Sequence, residues 1–454
     1  MPFATINPAT GKTEKEFPAH TPQEVDAILD RATAAFADYK TTTYAERSRH
    51  LVTAAELLEG EVPDVARILT TEMGKTFAAA KAEVSKCAVG LRWFADNAEA
   101  LLADEPITTS GSRSYVHYQP IGAVLAVMPW NFPLWQVVRF AAPALMVGNV
   151  GLLKHASNVP QTALAIEDLF RRAGLPDGVF TNLFVPSSDI AALIHDPRIA
   201  AVTLTGSEPA GMSVAAAAGD ALKKTVLELG GSDPFVVLAS ADLKAATRTA
   251  VTARVQNNGQ SCIAAKRFIV VDGVADEFES RFIEAMDALV VGDPFDPATD
   301  IGPIVSEAQR DELVGQVEEA VRQGATVHTG ARLPDGDGWW FAPTVLSGIT
   351  TDMAVAREEI FGPVAMVIRV PDVAAAIETA NATPFGLGSS VWGSDEAEVA
   401  RCIEGIEAGA VFVNAMVASM PELPFGGIKR SGYGRELSEL GLKEFTNPKT
   451  VYVA

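Results

Sequence analysis

From residue 123 onward, short runs that are apolar at nearly every position alternate with stretches of helical periodicity. Residues 123–127, 151–154, 201–205, 225–229 and 235–238 read as strands; 134–146, 161–173, the segment after Gly206 and 243–257 read as helices. A strand without a polar face has to be covered on both sides, which points to a mostly parallel sheet sandwiched by helices. The same rhythm continues with a strand at 267–271, helices at 276–290, 307–323 and 374–380, and a strand at 410–413. The expected fold class is therefore α/β, with two α/β domains meeting near Gly230-Gly231. Ahead of this, the first hundred residues read as helices. Thr21, Pro22 and Glu24 supply an N-cap, a first-turn proline and a capping-box carboxylate, and Pro63 is expected to divide the helical stretch 45–73 in two.

Composition narrows the function. The 454 residues carry 36 Lys+Arg against 57 Asp+Glu, a formal charge of −21, and this sign repels nucleic acid and anionic membranes. Three cysteines are too few for a disulfide framework, and the first residues show no basic patch followed by an apolar run; both fit a cytoplasmic enzyme. The most apolar stretch, 121–138, is interrupted by Pro129, Asn131, Pro133 and Gln136 and is not expected to span a bilayer. The six histidines are scattered, with neither His-Glu-x-x-His nor Cys-x-x-Cys, so no metal site is expected. The Gly-x-Ser-x-Gly elbow of a serine hydrolase is also missing.

Cys87 and Cys402 sit inside helical patterns and read as packing residues. Cys262 follows Gly259-Gln260-Ser261 at the end of a helical run, where a loop would display it, and it is the candidate nucleophile. With an ordinary thiol pKa of about 8.5, it needs a lowered pKa or a neighbouring base. Glu228 is the candidate base: it ends the apolar strand Thr225-Val226-Leu227, where desolvation raises a carboxyl pKa toward the useful range. Thr205-Gly206-Ser207 stands where a strand turns into a helix, a place where glycine lets a dinucleotide approach a helix N-terminus.

Together these residues resemble the NAD(P)-dependent aldehyde dehydrogenase family over nearly the whole chain. The resemblance is carried, in order, by INPATG (6–11), PWNFPLW (129–135), KHAS (154–157), TGS (205–207), LELGG (227–231), GQSC (259–262), EEIFGP (358–363) and PFGGIKRSGYGRE (424–436). It implies a Rossmann-type cofactor domain (1–103 and 123–229), an α/β catalytic domain (230–430), and a β-hairpin oligomerisation element (104–122 with 431–454) that builds a homodimer or homotetramer. It further implies that Cys262 attacks the aldehyde, that Asn131 and the Cys262 N–H form an oxyanion hole, and that Glu228 activates water to hydrolyse the thioester. Trp130, Lys154, Ser157, Gly206, Ser207, Leu229, Glu359 and Phe361 are the implied cofactor residues. Ser157 stands three positions after Lys154, where NAD-preferring relatives often carry a glutamate, so NADP is the expected cofactor, with NAD as the alternative.

Within the family, KHASNVP and GQSCIAAKR are similar to the short bacterial succinate-semialdehyde dehydrogenases. That likeness implies Arg139 as the arginine gripping the substrate carboxylate, helped by Ser261 and Ser419, with Trp135 and Phe425 walling the tunnel. Arg139 lies eight residues after Asn131 and would share a helix face with it if the helix began early enough. Two positions depart from the mammalian-type enzyme: Ala264 replaces a second cysteine, and Gln256 replaces a second arginine, so the carboxylate grip is expected to rest mainly on Arg139. The rival readings are a dehydrogenase for another acidic or aliphatic aldehyde such as glutarate semialdehyde, a coenzyme-A-acylating member, which the retained Glu228 disfavours, and a non-catalytic protein on the same fold.

Overall fold

Threonines start three of the first four helices. Thr21 and Thr43 each close a full capping box, with Glu24 and Glu46, at the heads of α1 (Pro22–Tyr39) and α2 (Tyr44–Gly60). Thr76 caps α4 (Phe77–Leu101). The break before α3 (Val62–Met73) falls at Glu61, and Pro63 sits in the first turn of α3, where its missing N–H costs nothing. One expectation fails here: the N-terminal region does not open on a helix. A hairpin of β1 (Phe3–Asn7) and β2 (Lys12–Phe17) precedes α1, and β2 is so polar and exposed that its sequence carries no strand periodicity. A computed structural model describes residues 3–454, so the first two residues of the expected cofactor domain lie outside the described residues.

Two short antiparallel strands, β3 (Glu105–Pro106) and β4 (Arg113–Pro120), lead into the first large sheet. Its parallel strands are β5 (Ala123–Met128), β6 (Val150–His155), β7 (Phe180–Asn182), β8 (Ile199–Thr205) and β9 (Lys224–Glu228). They are ordered β9-β8-β5-β6-β7. The chain therefore runs outward from β5 through β6 and β7, then returns to the other side of β5. Such a reversal opens a crevice at the carboxyl ends of the two strands flanking it, here β5 and β8. Between β5 and β6 runs α5 (Trp135–Val147), buried along its whole length.

A second sheet follows, built from β10 (Pro234–Val237), β11 (Arg267–Val271), β12 (Thr326–Thr329), β13 (Thr344–Ser347), β14 (Val364–Val370), β15 (Gly388–Trp392) and β16 (Ala410–Val413). Its order is β12-β13-β14-β11-β10-β15-β16, parallel except at the β12/β13 edge. Alternate side chains feed the two faces: Val236 and Ile269 enter one apolar cluster, Phe235 and Phe268 the other. β12 to β15 escape the sequence reading. β15, Gly-Ser-Ser-Val-Trp, has little strand propensity of its own and is held by parallel pairing on both sides.

The chain ends by adding β17 (Gly432–Tyr433) to the edge of the first sheet at β9, and β18 (Thr446–Val453) to β4. The β18–β4 register sets Val451 opposite Tyr115, which joins the two segments expected to pair. No helix among the described residues is long and apolar enough to cross a membrane, and none of their acidic, His and Cys groups forms a metal-binding cluster.

Candidate active site

A cleft of about 580 Å³ lies at the crevice beside β5 and β8. Trp130 and Asn131 reach it from the loop after β5, Gly206 and Ser207 from the turn after β8, and Glu228 and Leu229 from the end of β9. Cys262, Glu359 and Phe361 face it as well. Residues chosen from scattered motifs thus line one space. The Trp130 and Phe361 rings meet edge to face at 5.7 Å.

The Cys262 loop owes its shape to three successive left-handed residues, Asn257, Asn258 and Gly259 (φ 56°, 58° and 75°). Asparagine tolerates this region and glycine enters it freely. Buried donors then hold the loop. Asn257 Nδ2 donates to the carbonyls of Asn131 (2.7 Å) and Gln260 (3.0 Å), and a guanidinium nitrogen of Arg254 donates to Gly259 O (2.7 Å). The fully buried Lys266 donates from Nζ to the carbonyls of Ser261 (2.9 Å) and Cys262 (2.5 Å). The sequence reading did not single out Asn257, Arg254 or Lys266. The only signal was that Lys266 ends the Gly259–Arg267 motif one residue early.

Burial decides the protonation states. It pushes the Cys262 thiol up to about 12, against the opposing charges of Arg139 and Lys266. That direction favours activation of the thiol by a neighbouring base over a resting pKa that is already lowered. Glu228 is 2% exposed, and neither carboxyl oxygen has a hydrogen-bond partner among the described residues. Burial first, and the nearby Glu436 second, hold it well above the usual carboxylate range. A side chain at Gly426 would place its Cβ 2.6 Å from Glu228 Oε1, so only glycine admits the carboxyl there. Asn131 Nδ2 donates to Gln260 O at 3.2 Å, which leaves its second N–H free. The Cys262 N–H likewise finds no backbone acceptor among the described residues.

Glu359 accepts the Gly231 N–H at 2.9 Å and lies 3.6 Å from Lys266 Nζ. Burial raises its pKa while Lys266 opposes the rise. Lys154 and Ser157 lie off the cleft lining, at and beyond the carboxyl end of β6. Lys154 Nζ donates to Ser187 Oγ at 3.3 Å, and burial lowers its pKa.

At the substrate end one expectation needs correction. Helix α5 begins at Trp135, so Asn131 precedes it and shares no helix face with Arg139. Arg139 is buried as expected, but it forms an ion pair with the buried Glu436, lies against the Phe425 ring at 4.4 Å and reaches Thr205 Oγ1 at 3.4 Å. Its charge is shared with Glu436 inside the chain. The sequence reading missed Glu436, which ends the quoted 424–436 motif. Trp135 Nε1 donates to Ser419 Oγ at 2.9 Å, and the Ser261 hydroxyl is buried without a partner among the described residues.

Residues 1–451 match the aldehyde dehydrogenase family. The chain belongs to that family. A succinate-semialdehyde dehydrogenase (NADP+) of Mycobacterium avium strain 104 is 60% identical over 457 residues, covering 100% of this chain and 97% of that one. Among solved aldehyde dehydrogenase structures, the succinic semialdehyde dehydrogenase of Streptococcus pyogenes in complex with NADP+ superposes with a TM-score of 0.97 at 38% identity, covering 99% of each chain. The succinate-semialdehyde dehydrogenase of Burkholderia pseudomallei gives 0.96 at 35% identity, with 100% of this chain and 95% of that one covered.

Proposed function

We propose that this aldehyde dehydrogenase oxidises succinic semialdehyde to succinate with NADP. The observation that carries the reading is the convergence of Cys262, Glu228 and Asn131 on one cleft at the strand reversal. The residues present fit a dinucleotide: the cleft has the volume, Gly206 and Ser207 stand at the head of the helix Glu208–Asp220, and Lys154 keeps N–H donors beyond the one given to Ser187. Bound NADP supplies the hydride acceptor.

The protein groups divide the rest of the work. Glu228, once ionised, takes the proton of Cys262, and the thiolate adds to the aldehyde carbon as a thiohemiacetal. Asn131 Nδ2 and the Cys262 N–H donate to the developing alkoxide, each contributing about 3–4 kcal/mol if they act as such donors do elsewhere. After oxidation the acyl group is a thioester on Cys262, and Glu228 takes a proton from the water that hydrolyses it. Lys266, Asn257 and Arg254 hold the loop carbonyls, so the sulfur does not wander between these steps.

We assign the first sheet and its helices to a cofactor domain, the second to a catalytic domain, and the β3–β4–β18 sheet to assembly of a homodimer or homotetramer in the cytoplasm. Steady-state kinetics over succinic semialdehyde, glutarate semialdehyde and butanal, each with NADP and NAD, test the reading. The highest kcat/KM is expected for succinic semialdehyde with NADP; a higher value for butanal, or for NAD, overturns the corresponding half.

A further inference from the structure

The segment that carries Asn131, residues 129–134, has to hold one amide within reach of an alkoxide that exists only while the reaction runs. Its carbonyls are anchored from two sides. His155 Nε2 donates to Pro133 O at 2.8 Å from the end of β6, and Asn257 holds the Asn131 carbonyl from the Cys262 loop. The far end of the segment depends on another partner. The first N–H groups of a helix have no acceptor inside it, and Leu134, at the head of α5, has no side-chain oxygen to cap them. Glu83, from α4, supplies what is missing. Its Oε1 accepts the N–H of Leu134 and the N–H of Trp135, both at 3.0 Å. A carboxylate there also meets the positive end of the α5 dipole.

The other Glu83 oxygen accepts from Lys75 Nζ, and both side chains are buried. The Lys75 ammonium in turn lies 4.3 Å from the ring centre of Phe132, the residue after Asn131. Burying such a pair costs a desolvation that its own attraction barely returns, so stability is a poor reason for it. What the pair supplies is a charge-balanced acceptor with one oxygen held at the head of α5. Lys75 also follows Gly74, whose carbonyl accepts Asn258 Nδ2 at 2.8 Å. The turn between α3 and α4 is thereby braced against the nucleophile loop as well.

We infer that Glu83, charge-balanced by Lys75, is a positioning residue of the oxyanion hole: by holding the Leu134 and Trp135 N–H groups it sets where the Asn131 amide points. The assignment rests on the oxyanion role of Asn131 in the proposed function. Glu83 lies off the cleft lining and acts through Asn131, in the addition to the aldehyde and in the hydrolysis of the thioester alike.

The test is a double-mutant cycle with Asn131→Ala, read on succinic semialdehyde and on butanal. Glu83→Leu with Lys75→Met fills the same space and removes the acceptor without stranding a charge. A misplaced catalytic group costs on the order of 100-fold, so kcat on both aldehydes should fall about 10- to 100-fold. KM for either aldehyde and NADP affinity should stay within about threefold, since the lost interaction is made only in the transition state. Alkylation of Cys262 by iodoacetamide forms no oxyanion and should keep its wild-type rate. Glu83→Gln with Lys75→Met returns a neutral acceptor of the same length and should recover most of the lost kcat, which a space-filling role does not allow. Added to Asn131→Ala, Glu83→Leu with Lys75→Met should cost less than about threefold, because the group it positions is gone. Where that pair does not fold, Glu83→Asp, which keeps both charges and draws the carboxylate back by one methylene, reads the same cycle. A loss of equal size with and without Asn131, a folded variant with wild-type kcat, or a Glu83→Gln pair no better than the Glu83→Leu pair overturns the Glu83 assignment alone. Wild-type turnover by Asn131→Ala overturns the oxyanion role and the assignment with it.

Discussion

The Arg139 guanidinium and the Glu436 carboxylate form an ion pair with side-chain exposures of 2% and 5%, in contact with the environment of Glu228. Removing one partner of such a pair leaves a buried charge uncompensated, which costs about 3–5 kcal/mol. Arg139→Ala should therefore lower stability by that order in denaturant titrations and depress turnover of acidic and neutral aldehydes together. A stable variant whose only defect is KM for succinic semialdehyde would show that Arg139 grips substrate after all.

Cys262→Ala removes the only thiol among the described residues that faces the cleft. Turnover should be abolished while NADP binding, followed by quenching of protein fluorescence, persists. Normal rates would overturn the covalent mechanism.

Glu228→Gln keeps the shape of the side chain and removes the base. The base is lost both for activating Cys262 and for hydrolysing the thioester, so both half-reactions should slow, giving at most one NADPH per site and a steady-state kcat lowered about 100-fold or more. The wild-type pH dependence carries a sign as well. Burial holds the folded Glu228 pKa well above its unfolded value. Its contribution to stability is then full below the ordinary carboxyl range and is lost as pH rises through the raised folded value. Wild type should lose stability relative to Glu228→Gln over that span, while its kcat/KM climbs as the base ionises. A stability difference that does not change with pH would contradict the desolvated carboxyl.

Ser157→Glu places a negative charge close to Lys154. The ratio of kcat/KM for NADP over NAD should fall by about tenfold or more, as expected for repulsion of a 2′-phosphate. An unchanged ratio would remove Ser157 from the phosphate site.

Local pattern carried a large part of this protein. Apolar runs with helical stretches between them placed β5, β6, β8, β9, β10 and β11, capping residues placed α1, and the loop chemistry of Cys262, Glu228 and Asn131 was legible because each stands at the end of an element that the pattern itself marks. Such signals act over a few residues, within the reach of a strand pleat or a helical turn. β2 and β15 were not legible, since a polar edge and a Gly-Ser strand take their conformation from their neighbours. The partners of the buried charges around the site were decided by tertiary structure alone. Glu83 meets the Leu134 N–H across 51 positions, and Arg139 meets a carboxylate from the far end of the chain. Whether a buried charge is satisfied depends on which groups the fold brings within a few ångströms of it, and no short stretch of sequence contains that distance.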